Sequence, residues 1–128
     1  MTATCPVDPK HRAPDPLTLV LAMPPSVNGL YANVARVGRV KTKRYKAWIA
    51  EAGWQLVTQP RHSFPGNVLL EFRFGPRGPG DASNYIKAPE DLLVAHRIIT
   101  DDSLVDKVSA EWAPDVRGCE VTITHRET

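Results

Sequence analysis

Acidic side chains concentrate between residues 81 and 106, a stretch of 26 residues that holds six of them. The four that form a pattern are Asp81, Asp91 and the adjacent pair Asp101–Asp102, and Lys87 lies among them. Carboxylates gathered in one place repel each other unless a cation joins them, and hard oxygen ligands suit Mg²⁺. A lysine among them suits an anionic substrate or a developing negative charge. The sequence therefore predicts that the chemistry of this chain is performed here.

The charge is unevenly distributed, although the formal net charge is only +2. Residues 81–106 carry a net charge of about −4, because six acids face only Lys87 and Arg97. From Pro16 to Ala50 there is no acid, and the six cations are Arg36, Arg39, Lys41, Lys43, Arg44 and Lys46. A basic segment beside an acidic one suits a polyanion cradle next to a metal site. Two solvated surfaces of opposite sign are the alternative.

A chain of 128 residues predicts one domain. Residues 1–16 contain Pro6, Pro9 and Pro14, and we interpret them as a flexible tail or an arm onto a partner, followed by a domain over residues 17–128. Cys5 and Cys119 have no metal-ligand spacing, so we expect free thiols in a reducing cytoplasm. No apolar stretch is long enough to span a bilayer, and we expect a soluble cytoplasmic protein without a membrane partner.

The first half of the chain predicts a strand and a helix. Leu17–Ala22 is an apolar run stopped by prolines, and residues 34–40 predict a hairpin or an ordered loop. Thr42 is a suitable N-cap for a helix that ends near Thr58. Its apolar stripe is Tyr45, Trp48, Ile49, Ala52 and Leu56. Cations in its first turn oppose the helix dipole, which hints that they serve another purpose, such as holding phosphate.

The second half predicts a strand, a helix and two strands. The strand is Asn67–Phe74, and the helix spans Ser83 to Ala95 with a kink or break near Ala88, because Pro89 removes a backbone hydrogen bond. The last strands are residues 106–112 and 119–125. The order β-α-β-α-β-β predicts a small single domain of the α/β (α+β) class, a mixed sheet with two main helices against it. The three tryptophans, Trp48, Trp54 and Trp112, are assigned to the core.

Four motifs in this order resemble the RusA family of Holliday junction resolvases, which is common in phages and prophages. They are Pro24-Pro25-Ser26-Val27-Asn28, Gly38-Arg39-Val40-Lys41-Thr42, Asp81-x-x-Asn84-x-x-Lys87 with Asp91-Leu92-Leu93, and Asp101-Asp102-Ser103-x-Val105. The resemblance extends from about Leu17 to Thr124. It implies a hydrolase, a crossover junction endodeoxyribonuclease acting in DNA recombination and repair. Such enzymes are homodimers that cut opposed strands of a four-way DNA junction with Mg²⁺, for which Mn²⁺ can substitute, in the cytoplasm of a bacterium or a phage-infected cell.

The resemblance also implies roles for individual residues. The catalytic set is Asp81, Asn84, Lys87 and Asp102; the metal-binding set is Asp81, Ser83, Asp91 and Asp102; the DNA-binding set is Asn28, Arg36, Arg39, Lys41, Lys43, Arg44 and Lys46. Lys87 would neutralise charge on the phosphate in the transition state. Asp91 is either a third acidic ligand or a structural partner of Lys87. Asp101 either supports a ligand or caps a turn.

Ser83 departs from the family pattern, which has an aspartate at this position in its best-known members. A hydroxyl is a neutral and weaker ligand, so one negative charge fewer holds the cation. An alternative function is therefore a non-catalytic protein of the same fold that binds four-way junctions. A small phosphoryl-transfer enzyme acting on nucleotides is a weaker alternative, because the long cationic segment favours a polymer.

Overall fold

The structure, a computed structural model, describes residues 14–126 and arranges them in six strands and two helices. The strands are Leu17–Leu21 (β1), Tyr31–Val34 (β2), Gly38–Lys41 (β3), Val68–Gly75 (β4), Val105–Trp112 (β5) and Gly118–His125 (β6). The helices are Lys43–Val57 (α1) and Lys87–Ala95 (α2), with 3₁₀ turns at Val27–Gly29, Ala82–Tyr85 and Asp102–Leu104. The α+β class and the two main helices are confirmed. The hairpin β2–β3 begins at Tyr31, earlier than expected.

Four strands form one mixed sheet in the order β1-β6-β4-β5. β4 and β5 are parallel, whereas β6 is antiparallel to both β1 and β4. Side chains alternate across the sheet: β1 buries Leu17, Leu19 and Leu21 and exposes Thr18 and Val20. The buried faces of β1, β4 and β6 join the apolar stripe of α1 in a single core. The opposite face of the sheet is therefore the polar one.

Side chains of α1, and of Gln59 two residues beyond its end, close the outer edge of β1. The Gln59 side-chain amide accepts a hydrogen bond from Val20 N at 2.9 Å and donates one to Val20 O at 2.7 Å. Gln55 Oε1 accepts from Ala22 N at 2.6 Å, and Trp48 Nε1 donates to Ala22 O at 2.9 Å. These groups take the place of a further strand, because unpaired edge groups are otherwise left to water. The direction of α1 is thereby fixed relative to the sheet.

The start of α1 is tied to the segment before the hairpin. The Thr42 hydroxyl accepts a hydrogen bond from Tyr45 N at 3.2 Å and donates one to Gly29 O at 2.7 Å. The predicted N-cap is thus confirmed. The predicted stripe is confirmed as well, with Ile49 partly buried and the buried members being Tyr45, Trp48, Ala52 and Leu56. One threonine therefore sets both the helix start and the position of the hairpin beside it.

The second helix is shorter than expected. The expected helix from Ser83 is a 3₁₀ turn, Ala82–Tyr85, followed by α2 from Lys87, so the break predicted near Ala88 is present two residues earlier, at Ile86. Pro89 lies in the first turn of α2, where a missing N–H costs no helical hydrogen bond. The break lies between the turn and the helix, so Asp81 precedes the turn and Lys87 begins α2.

Three further predictions have mixed outcomes. Trp48 is 4% exposed as expected, and Trp112 is partly buried, but Trp54 is 70% exposed because it lies off the apolar stripe of α1. The Cys119 thiol is free and buried, which raises its pKa. Cys5 and most of the predicted tail, residues 1–13, lie outside the described residues. Neither helix of the described chain has the length and apolar content needed to cross a bilayer.

Candidate active site

Two short turns bring candidate ligands to the start of α2. The turns Ala82–Tyr85 and Asp102–Leu104 both contact α2. Asp81 immediately precedes the first turn and Asp102 begins the second. Both residues are exposed, and Asp81 forms no side-chain capping hydrogen bond in its turn. A purely capping role for the Asp81 carboxylate therefore has no support in this geometry.

Asn84 lies against the loop that leads into Asp81. Its backbone N–H donates to Asp81 O at 3.0 Å. Its side-chain Nδ2 is only 3.0 Å from the position that a Cβ at Gly80 would occupy, and Gly80 has a φ of +78°. Glycine is needed there for both reasons. Ser83, in the same turn, points to solvent. The turn thus contains a hydroxyl and an amide two and three residues after Asp81.

Lys87 forms an ion pair with Asp91 one turn further along α2. The Nζ–Oδ1 distance is 3.1 Å, and the two side chains are 46% and 32% exposed. This hydrogen bond is the main cause that raises the pKa of Lys87, and the charges of Glu90 and Asp102 add to it. Lys87 is therefore cationic at neutral pH. An exposed pair of this kind contributes little to stability, so Lys87 can exchange Asp91 for a phosphate at low cost.

Glu90 is a candidate residue that the sequence reasoning counted among the acids but gave no role. It lies in the first turn of α2 and is half-buried. Burial raises its pKa, and the charge of Asp102 raises it further, while Lys87 opposes the shift. Two carboxylates that interact across α2 and the neighbouring turn favour a cation between them. The only sequence signal was its place between Lys87 and Asp91.

Asp101 organises its own turn. Its Oδ2 accepts a hydrogen bond from the Ser103 hydroxyl at 2.8 Å, and its backbone oxygen accepts from Leu104 N at 3.0 Å. The Ser103 hydrogen bond is the main reason that the pKa of Asp101 is lowered. The Asp101 side chain makes no capping hydrogen bond to the backbone of the turn, so these contacts do not decide between its two alternatives.

The basic residues occupy the hairpin and the first turn of α1, and all six are exposed. Arg39 stacks on the Tyr31 ring, with its guanidinium carbon 4.2 Å from the ring centroid. The same two residues line an open depression of about 350 Å³ together with Lys87 and Asp91. Asn28 is exposed on a turn that contacts the Ala82–Tyr85 turn. The basic hairpin therefore borders the start of α2 at Arg39, while the role of the basic segment in holding a polyanion stays a prediction.

Comparison with known families gives a match over most of the chain. Residues 22–124 match the family described as Endodeoxyribonuclease RusA. The chain belongs to the RusA family. The match begins just after β1 and reaches β6, so it includes the hairpin, both helices and all three 3₁₀ turns. A comparison with curated proteins gives no match. The resemblance proposed from the sequence motifs is thus confirmed at the level of the family.

The donor chemistry of this RusA-family site fits Mg²⁺, because the candidate ligands at α2 and its flanking turns are oxygen donors. Among residues 14–126, however, no group of three or more His, Cys, Asp and Glu side chains is placed to hold a metal ion. Mg²⁺ is commonly bound by one or two carboxylates together with waters and substrate phosphates. Glu90 and Asp102, whose charges interact, would supply two such carboxylates.

Proposed function

We propose that this RusA-family protein is a Mg²⁺-dependent, structure-specific endonuclease that resolves Holliday junctions by paired strand cleavage. Its substrate is the four-way DNA junction of recombination and repair, and a homodimer suits the near two-fold symmetry of that substrate. The observation that carries the proposal is the position of Lys87, which lines one depression with Arg39 of the basic hairpin and interacts with Glu90 and Asp102.

The basic segment holds the DNA backbone in this proposal. The cations of the hairpin and of the first turn of α1 are exposed: Arg36, Arg39, Lys41, Lys43, Arg44 and Lys46. The first turn of α1 contains no acidic residue. Contacts of this type depend on the release of counterions, so junction affinity falls steeply as salt rises. Asn28 lies on the neighbouring turn and adds a neutral hydrogen-bonding group to the same surface.

The residues at α2 act on the scissile phosphate. Asp81 and Asp102 would hold Mg²⁺ together with waters and phosphate oxygens, and Glu90, whose charge interacts with that of Asp102, would add the negative charge that Ser83 lacks. When bound, Mg²⁺ would polarise the phosphate and lower the pKa of the attacking water. Lys87 leaves Asp91 and neutralises the charge that grows on the phosphate oxygens. Asn84, held against the loop before Asp81, orients a ligand carboxylate or donates to a phosphate oxygen.

One experiment tests this function directly. The purified protein is incubated with a synthetic mobile four-way junction or a linear duplex, in Mg²⁺, Mn²⁺ or EDTA, and the products are separated on denaturing gels. We expect paired, symmetric nicks in the junction that require metal. Asp81→Asn and Asp102→Asn abolish the nicks, whereas Asp106→Asn, the same change at an acid that pairs with Asn67 on the sheet, retains them. Normal cleavage by the first two variants would refute the site assignment.

A junction-binding protein without nuclease activity is the second candidate function. Two observations favour it: Ser83 is neutral, and no three-ligand group is found within the described residues. In that case the junction is bound tightly but remains uncut in both metals. Cleavage gained by Ser83→Asp would then trace the lost activity to this single position.

A further inference from the structure

A pocket of about 310 Å³ lies between the hairpin, α1 and α2, next to the candidate active site. Its apolar walls are Ile49 and Leu92, its aromatic walls Tyr31 and Tyr45, and its charged groups Lys41 and Asp91. This volume is at the lower end of the range of about 300–1,000 Å³ that is typical of ligand pockets. It therefore suits one planar ring system, and it is too small for a base pair.

The aromatic residues are held in place by their neighbours. Tyr31 meets Tyr45 edge to face with ring centroids 5.8 Å apart, and Tyr45 stacks on Trp48 at 6.4 Å. Arg39 covers the Tyr31 ring from outside. Burial, with the charge of Asp91 and the neighbouring Tyr31, raises the pKa of Tyr45 to about 12, so its hydroxyl stays neutral. Tyr45 is buried and supports Tyr31, whose partly exposed ring can stack with any nucleobase.

The pocket and the candidate active site share residues. Tyr31 and Asp91 line both this pocket and the depression that contains Arg39 and Lys87. A ring inside the pocket therefore has the cations Arg39, Lys41 and Lys87 around its mouth. That is the charge complement of a nucleotide, whose base is flanked by a phosphate on each side.

We propose that this pocket receives a single unstacked nucleobase of the junction strand and so positions the adjoining phosphate at Lys87. This inference rests on the proposed nuclease function and names a base-binding subsite for it. The base stacks on Tyr31, and the Asp91 carboxylate accepts a hydrogen bond from an exocyclic amino group. Thymine lacks that group, so the pocket disfavours it.

Such a pocket also accounts for selection of branched DNA. A base in a linear duplex must lose its pairing and stacking before it can enter, whereas this cost is smallest for bases that are already unpaired or unstacked. The crossover of a four-way junction offers bases of that kind. The pocket thus couples the shape of the DNA to the placement of the phosphate beside Lys87.

The test uses four-way junctions that carry 2-aminopurine at successive positions around the crossover, bound in EDTA so that no strand is cut. Emission from 2-aminopurine rises when the base leaves the stack. Ala95→Trp fills the pocket from the exposed end of α2, and Ala50→Trp is the matched control on an exposed position of α1 that does not line it. We expect the wild type and Ala50→Trp to raise the emission at one position. Ala95→Trp should lose this rise, with junction affinity reduced by about 5- to 150-fold, as loss of one stacked base predicts.

Tyr31→Leu provides a second variant, because it opens the pocket where Ala95→Trp blocks it. It should also lose the emission rise, and circular dichroism shows whether each variant is folded. A wild type that binds and cuts the junction without an emission change at any position would overturn the pocket and leave the proposed function intact. The same holds if folded Ala95→Trp and Tyr31→Leu retain the full rise. Absence of junction binding by the wild type would overturn the proposed function, and the pocket with it.

Discussion

Two regions of the protein each combine one cation with three carboxylates, and they differ in how the charges are paired. On the polar face of the sheet, Arg73 contacts Glu111, Asp115 and Glu120 at 3.2, 2.8 and 3.1 Å. A guanidinium presents five N–H donors in a planar fork, so one arginine can satisfy three acids at once. This arginine cluster links β4 to β5 and β6 and has the character of a structural clamp.

The cluster at α2 has the same formal composition but is not saturated. Lys87 pairs with Asp91 at 3.1 Å, while Glu90 and Asp102 act on it only through their charge. Burial raises the pKa of Glu90, and the repulsion from Asp102, which Lys87 does not cancel, raises it further. An ammonium is a compact charge that cannot bridge several acids in a fixed geometry. Residual negative charge is therefore available for a metal ion, which is what distinguishes a candidate site from a clamp.

Removing each of the two cations tests this contrast and has the largest expected effect. Lys87→Ala should reduce single-turnover junction cleavage by about 10²–10³-fold, because it removes one charge that stabilises the transition state. Its stability should change by less than about 1 kcal/mol, since the ion pair is exposed. Arg73→Ala should do the reverse: it lowers the midpoint of thermal unfolding and leaves the cleavage rate of the folded protein unchanged. The measurements are quenched-flow cleavage and thermal melting of both variants, and an opposite assignment of the two losses would break the comparison.

The second-largest expected effect concerns Glu90 and its contribution to metal binding. Glu90→Gln should weaken Mn²⁺ binding, measured by isothermal titration calorimetry without DNA, by at least about tenfold, a cost seen even for groups that only support a metal ligand. Glu51→Gln is the matched control, because Glu51 is an exposed glutamate on α1. Adding Ser83→Asp to Glu90→Gln should restore binding by returning the missing charge. Unchanged Mn²⁺ affinity in Glu90→Gln would remove this residue from the metal site.

Much of the scaffold could be predicted from the sequence, because its signals are local. The apolar stripe and the Thr42 cap predict α1 almost to the residue, and alternation predicts β1. The break before α2 was placed too late, since proline is tolerated in a first helical turn and the sequence did not show where that turn begins. The closure of the β1 edge by Gln59 and Gln55 joins residues far apart in sequence, and no local pattern indicates it.

The candidate site likewise contains residues that the sequence predicted and residues that it missed. Asp81, Lys87 and Asp102 were predicted because spacing and family resemblance both pointed to them, and their assignment stays a prediction. Glu90 was missed because its significance depends on Asp102, which reaches it only through the packing of a turn against α2. The arginine cluster was missed for the same reason. The sequence shows in which segment the acids are concentrated. The pairing of side chains in three dimensions decides which carboxylates keep a negative charge that no cation balances.

The smallest expected effect concerns the pH dependence of stability without metal. Burial and Asp102 raise the pKa of Glu90 above its value in the unfolded chain, so ionisation favours the unfolded state. This contribution to stability is fully present below the unfolded pKa and is lost as pH rises through the folded pKa. Glu90→Gln cannot ionise, so it should be more stable than the wild type at neutral pH, by less than about 1 kcal/mol for a half-exposed group.

That difference should disappear as pH falls through the carboxyl range, and chemical unfolding at a series of pH values in EDTA measures it. Mg²⁺ should reverse its sign at neutral pH, because a ligand that binds only the folded wild type stabilises it by mass action. A Glu90→Gln variant that is less stable than the wild type in EDTA at neutral pH would mean that Lys87 already neutralises Glu90. The cluster at α2 would then be a structural ion-pair cluster of the same kind as the arginine cluster, and the proposal that it binds a metal ion would fail.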